Sequence, residues 1–160
     1  MWRESMHLAL ARTARIGAAA ALALAMVAPA QADDRAGNDR QDGTMKIRVI
    51  VEGKTLTATL DDTTVARDFA SLLPLELTLS DYNSTEKVSD LPRKLSIDGV
   101  PRSYQPSAGD ITHYAPWGNI AIFYRPFRDS TGLVRLGAFD GSIDALLRDQ
   151  PFKVRFEIAE

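Results

Sequence analysis

The chain has 160 residues, no cysteine, 25% charged residues and 19 Lys and Arg against 21 Asp and Glu. That balance excludes a nucleic-acid binder built on clustered cations, and the missing thiols exclude both disulfides and a lipid-anchored cysteine, so stability must come from burial. The length suffices for one hydrophobic core.

At the start, Arg3, Arg12 and Arg15 precede an apolar run from Ile16 to Val27, followed by Ala28-Pro29-Ala30-Gln31-Ala32. A basic start, a short apolar run and small residues at alternate positions describe a cleaved export signal over residues 1–32, with cleavage after Ala30 or Ala32. The run falls short of the roughly 20 residues that a membrane-spanning helix needs. The expected location is therefore the periplasm or the exterior, with no membrane contact after cleavage. Removal of residues 1–32 leaves 16 basic and 20 acidic residues. Residues 33–44, from Asp33 to Thr44, have almost nothing apolar to bury and are expected to form a disordered tether. The folded domain is expected over residues 45–160, and Met45 also offers an alternative start without the signal.

Ile47, Val49 and Val51, then Leu56, Ala58 and Leu60, alternate with exposed positions, which is the period of half-buried strands. Gly53-Lys54 between them suits a two-residue turn of type II′, with Gly supplying the positive φ. Asp61 or Asp62 is the expected cap of a helix with Val65, Phe69 and Leu73 on one face, ended by Pro74. Leu75, Leu77 and Leu79 restart the period of two. From Tyr82 to Leu91 the mixed polarity predicts a loop with one helical turn. Lys94–Ile97, Asp110–Tyr114, Asn119–Tyr124 and Leu133–Phe139 are further strand candidates. Ser142 is the candidate cap of a short helix with Ile143, Leu146 and Leu147 on one face, and Phe152, Val154, Phe156 and Ile158 define a terminal strand. Seven or eight short strands separated by turn signals predict a barrel or sandwich.

Thr85-Glu86-Lys87-Val88-Ser89-Asp90-Leu91-Pro92, Ala108-Gly109-Asp110-Ile111 and the stretch from Tyr114 to Tyr124, Tyr-Ala-Pro-Trp-Gly-Asn-Ile-Ala-Ile-Phe-Tyr, together resemble the small single-domain cyclophilin-like proteins of bacteria and archaea, a family without an established activity. The resemblance covers Met45 to Glu160. It implies a mainly β fold: a closed, cyclophilin-like β-barrel of about eight strands with one longer and one or two short helices. True cyclophilins are peptidyl-prolyl isomerases, but their Phe-His-Arg and Gln-Gly-Gly-Asp landmarks are not reproduced: Phe127-Arg128-Asp129 lacks the His, and Ala108-Gly109-Asp110 lacks the Gln and one Gly. Membership of a fold does not transmit an activity.

The candidate ligand-binding residues are Tyr82, Glu86, Tyr114, Trp117, Asn119 and Arg125. Tyr and Trp join a large apolar face to a polar tip, so convergence of Tyr82, Tyr114, Trp117, Phe123 and Tyr124 would wall a site for a peptide or flat ligand. For Phe123 the competing reading is that it fills the barrel with Ile120 or Ile122. Glu86 in a polar loop could orient a ligand or act as acid or base, while Asp81 and Asp90 are equally suited to capping. His113, the single histidine after residue 32, is expected to be a solvated strand residue and has too few companions for a metal site or a catalytic triad. Arg125 and Arg128 flank Pro126-Phe127, with Arg128 read as a surface residue held by an ion pair and Arg125 left open. No cofactor and no metal are expected. The expected partner is a peptide segment or small molecule, not nucleic acid, and the protein is expected to be a monomer or weak homodimer. A divergent prolyl isomerase, with Arg125 or Asn119 donating near the proline nitrogen, is the rival reading.

Overall fold

The computed structural model describes residues 43–160. The expected export signal and nearly all of the expected tether lie outside the described residues.

Ten strands, one α-helix and one short 3-10 turn make up the described chain: β1 (Met45–Val51), β2 (Lys54–Leu60), α1 (Thr64–Ala70), β3 (Leu75–Tyr82), β4 (Glu86–Asp90), β5 (Ser103–Tyr104), β6 (Asp110–Tyr114), β7 (Asn119–Phe123), β8 (Ser130–Thr131), β9 (Leu133–Phe139), the turn Asp144–Leu146, and β10 (Phe152–Ile158). Eight of the strands close into an antiparallel barrel in the order β1-β10-β3-β4-β7-β6-β9-β2, and β5 pairs with β8 in a small separate ladder. Closure leaves the barrel without an exposed edge. The expected fold, a mainly β closed barrel of about eight strands, is the observed one.

Inside the barrel, alternate residues of each strand form one apolar core that includes Val49, Leu60, Leu79, Ile120, Ile122 and Phe156. The helix caps this core. Its residues Val65, Ala66 and Phe69 are buried, and Phe69 meets Phe156 edge to face at 5.9 Å between ring centres, a geometry favoured by the ring quadrupoles. Where β2 and β9 meet, Gly137 lies opposite Leu60. A Cβ there would collide with the Thr59 carbonyl oxygen and stand 2.7 Å from the Leu60 Cα, so the close approach of these two backbones requires glycine.

Several local expectations are corrected. The first hairpin turns on Glu52-Gly53, not Gly53-Lys54, because Val51 pairs with Lys54; both turn residues have positive φ, 46° and 79°, which defines type I′. The N-cap of the helix is Thr63, whose side chain accepts from the Ala66 amide, because Asp61 is drawn away to Arg135. The helix stops at Ala70, so Leu73 lies beyond it. Residues 86–90 form a strand instead of a helical turn: they pair with β3 on one side and β7 on the other, and these two ladders override the mixed polarity of the segment. Lys94–Ile97 forms no strand. In the last turn Ser142 Oγ does accept from the Asp144 amide, yet only Leu146 is buried, and Leu147 points outward at 50% exposure. A 3-10 turn eclipses every third residue, so Ile143 and Leu146 share a face that Leu147 leaves.

Candidate functional site

Strand β4 determines where the site lies, because its side chains alternate between the two faces of the barrel wall. Lys87 pairs with Ile122, a core residue, and so belongs to the inner face. Glu86 and Val88 pair with Phe123 and Ala121 and belong to the outer face. Ala121, Phe123 and Leu133, with Val88, Tyr104, Tyr114 and Phe127 packed around them, form a second apolar cluster separate from the barrel core. Phe123 therefore does not fill the barrel. Its neighbour Ile122 does, since consecutive strand residues face opposite ways.

Over this outer sheet face runs a cleft of about 480 Å³, within the size range of ligand pockets. Its floor carries the apolar Val88, Ala121 and Phe123 together with the polar Glu86 and Asn119. One wall is a row of aromatic rings. Tyr82 meets Trp117 edge to face at 5.7 Å, and Trp117 meets Tyr114 in the same way at 5.3 Å. Trp117 is displayed by the tight loop between β6 and β7, in which Gly118 adopts φ 73° and donates its amide to the Tyr114 carbonyl at 2.9 Å. The indole is left 58% exposed. The opposite wall is the segment from Phe127 to Thr131. The β5–β8 pairing pins its far end, the Phe127 amide donates to the Pro106 carbonyl at 3.1 Å, and Phe127 stacks on Phe123 at 6.2 Å.

Five of the six residues singled out in the sequence, Tyr82, Glu86, Tyr114, Trp117 and Asn119, line this one cleft. Arg125 does not. It is exposed, and its guanidinium lies 5.9 Å from the Tyr124 ring. The arginine that does line the cleft is Arg128, set 5.2 Å over the Phe127 ring and, among the described residues, without the surface ion pair expected for it. Tyr124 is drawn away from the aromatic row by its hydroxyl, which donates to Asp81 at 2.6 Å. Val88, Phe127, Arg128, Asp129 and Leu133 were missed as lining residues. The signal that could have found the first was the alternation of Glu86 and Val88 with Lys87 and Ser89, once that segment is read as a strand.

The electrostatics of the cleft centre on Glu86. Burial against the apolar floor, and then the nearby charge of Asp81, push its carboxyl up from 4.5 to about 7, as desolvation and like charge do to any carboxylate. Asp81 itself is held below the ordinary carboxylate range, chiefly by a hydrogen bond from Lys87 and then by one from Tyr124. Lys87, only 3% exposed, donates to Asp81 at 2.8 Å and to the Arg148 carbonyl at 2.5 Å. One carboxylate is thus kept charged so that its neighbour in the cleft holds its proton near neutrality, a state in which Glu86 can donate or accept.

His113 is fully buried rather than solvated. It faces inward beside Ile120, its rung partner, and its ring Nδ1 lies 2.9 Å from the Asn119 carbonyl. A carbonyl only accepts, so Nδ1 carries the proton. Burial keeps the ring neutral by lowering its pKa, which suits a positioning role under Asn119.

A family model described as Cyclophilin-like family matches residues 49–157. The chain belongs to the cyclophilin-like family. The match runs from β1 to β10 and so includes every element that builds the cleft. Among solved structures, this cyclophilin-like chain is similar to the solution structure of a hypothetical protein from Archaeoglobus fulgidus, with 17% identity, a TM-score of 0.58, and coverage of 76% of this chain and 99% of that one. At that identity the likeness concerns the fold. A search of curated proteins returned no match.

Proposed function

We propose that this cyclophilin-like domain is a binding module that takes a peptide segment or small ligand in its outer-face cleft without covalent catalysis. The observation that carries the proposal is the convergence of Tyr82, Trp117 and Tyr114 along one side of a cleft whose floor holds Glu86 and Asn119. An apolar surface with few, placed polar groups is how small-ligand sites are generally built. Among the described residues no three His, Cys, Asp or Glu are grouped as metal ligands would be, and the proposal invokes no metal. Calorimetric titration of the purified protein with a panel of short proline-containing and proline-free peptides is the direct test. Absence of binding across the panel, together with an unchanged small-molecule screen, removes the proposal.

A divergent prolyl isomerase is the second reading. It is favoured by Asn119, a donor-bearing side chain on the cleft floor, and weakened by the position of Arg125 outside it. A prolyl-peptide isomerisation assay separates the two, because binding alone gives no rate enhancement.

Export belongs to the same proposal. Arg3, Arg12 and Arg15, the short apolar run and Ala30-Gln31-Ala32 support a periplasmic or secreted domain. N-terminal sequencing of the native protein should find Gln31 or Asp33 first, and an intact Met1 or a start at Met45 would overturn it.

A further inference from the structure

Asn119 lies in the cleft floor with 5% of its surface exposed, and its side-chain Oδ1 is buried without a hydrogen-bond partner among the described residues. Its Nδ2 is the end of the amide left open to the cleft. That donor gains a hydrogen bond only from a molecule that enters the cleft and brings an acceptor.

The charged side chains around it ask for both kinds of partner. Glu86 on the floor and Asp129 on the opposite wall present carboxyl oxygens, and Arg128 presents a guanidinium. None of the three is held in an ion pair among the described residues. A guanidinium only donates and an ionised carboxyl only accepts, so an anionic ligand would serve Asn119 and Arg128 while opposing Glu86 and Asp129, and a cation would do the reverse. A hydroxyl both donates and accepts. A neutral ligand rich in hydroxyls therefore serves all four groups.

The aromatic row narrows the class further. Trp117 is 58% exposed and Tyr82 is 43% exposed, which leaves much of both rings open to a ligand. The C–H bonds of a sugar ring, polarised by the neighbouring oxygens, are attracted to the negative face of an aromatic ring. For a peptide main chain the cleft has little to offer: β4 and β7, which carry the floor, have a neighbour on each side in the closed barrel, and β8 in the wall is two residues long, so strand addition finds no edge. Recognition rests on side chains, and these are rings with planar polar groups.

Resting on the proposal that the cleft binds a ligand, we infer that the ligand is a neutral oligosaccharide, seated with its ring faces on Trp117 and Tyr82 and its hydroxyls on Asn119, Glu86, Arg128 and Asp129. A cleft of about 480 Å³ takes a ligand of a few sugar rings.

The test is calorimetric titration of the purified protein with cellotriose, maltotriose, tri-N-acetylchitotriose and the open-chain polyol sorbitol, repeated with Trp117→Ala, Asn119→Asp and, as control, Arg125→Ala. At least one of the trisaccharides should bind about tenfold or more tightly than sorbitol, which has the hydroxyls without the ring face. Trp117→Ala should weaken that trisaccharide by about tenfold or more, Asn119→Asp should weaken it because a donor is replaced by an acceptor, and Arg125→Ala should leave it unchanged. Saturation-transfer NMR on the wild type should place the ring C–H protons of the sugar against the protein. The Trp117→Ala and NMR readouts stand even if Asn119→Asp folds poorly, since the indole lies largely in solvent. Sorbitol binding as tightly as the trisaccharides, a trisaccharide that binds Trp117→Ala unchanged, or no saccharide binding at all overturns the inference. Neutral peptides that bind where the saccharides fail would overturn it and leave the binding module intact, whereas failure of both series removes both.

Discussion

Glu86 stands opposite Phe123 in the β4–β7 ladder, so a carboxyl on the outer face of the barrel has an aromatic ring as its cross-strand neighbour. The pairing explains why the group is desolvated without being enclosed. It also ties the charge state of the cleft to the pairing of two strands.

Stability should therefore depend on the protonation of Glu86. Its folded pKa of about 7 lies above the ordinary 4.5, so between these values the folded state binds more protons than the unfolded one, and stability falls as pH rises through that window. Glu86→Gln, fixed in the neutral form, should gain on the wild type from pH 4.5 to pH 7 and hold a constant advantage above it. Partial exposure screens the effect, which should be of the order of 1 kcal/mol. Urea melts of both proteins at several pH values give the difference directly, and a difference independent of pH would contradict the assignment.

For ligand binding, Trp117→Ala and Glu86→Gln should each weaken whatever ligand is found by tenfold or more, about 1.4 kcal/mol, with the melting temperature nearly unchanged for Trp117→Ala because the indole is largely exposed. Arg125→Ala should bind as the wild type does, since Arg125 lies outside the cleft. Titration of the three variants side by side decides the matter; a loss in Arg125→Ala alone would move the site to the Tyr124 side.

The buried end of Lys87 predicts an asymmetry. Asp81→Ala leaves a buried ammonium without its counter-ion and should cost about 3 kcal/mol, whereas Lys87→Met replaces that cation by an apolar side chain of similar length and should change stability by less than about 1 kcal/mol. The paired melts test this. A loss in Asp81→Ala as small as that in Lys87→Met would mean that the ammonium is satisfied by the Arg148 carbonyl without Asp81.

At the closure of the barrel, Gly137→Ala should destabilise by at least about 2 kcal/mol, because the obstacle is backbone of β2 that cannot swing aside. Its unfolding rate and midpoint in denaturant are the readouts. Near wild-type stability would show that β2 and β9 can separate without opening the barrel.

Much of the barrel was legible in the residues. Alternation in Ile47-Val51, Leu75-Leu79 and Phe152-Ile158 identifies strands because each has one dry and one wet face, and the wet face leaves a pattern. Strand β4 was hidden for the opposite reason. It carries Glu86 and Val88 into the cleft and Lys87 into the barrel, so neither face is simply polar or apolar, and only pairing with β3 and β7 makes it a strand. The same principle accounts for His113, whose polarity suggested solvent while its rung partner Ile120 placed it inside.

By itself, the sequence determined the strand periodicity, the family resemblance and a group of residues of which Tyr82, Glu86, Tyr114, Trp117 and Asn119 share one cleft, because side-chain alternation and loop chemistry are local properties. Tertiary structure alone decided that the cleft lies on the outside of the barrel, that Arg128 and not Arg125 lines it, and that burial and then the charge of Asp81 raise the Glu86 carboxyl. Those outcomes depend on which strands pair and in what register, and register is a long-range choice, fixed when the barrel closes.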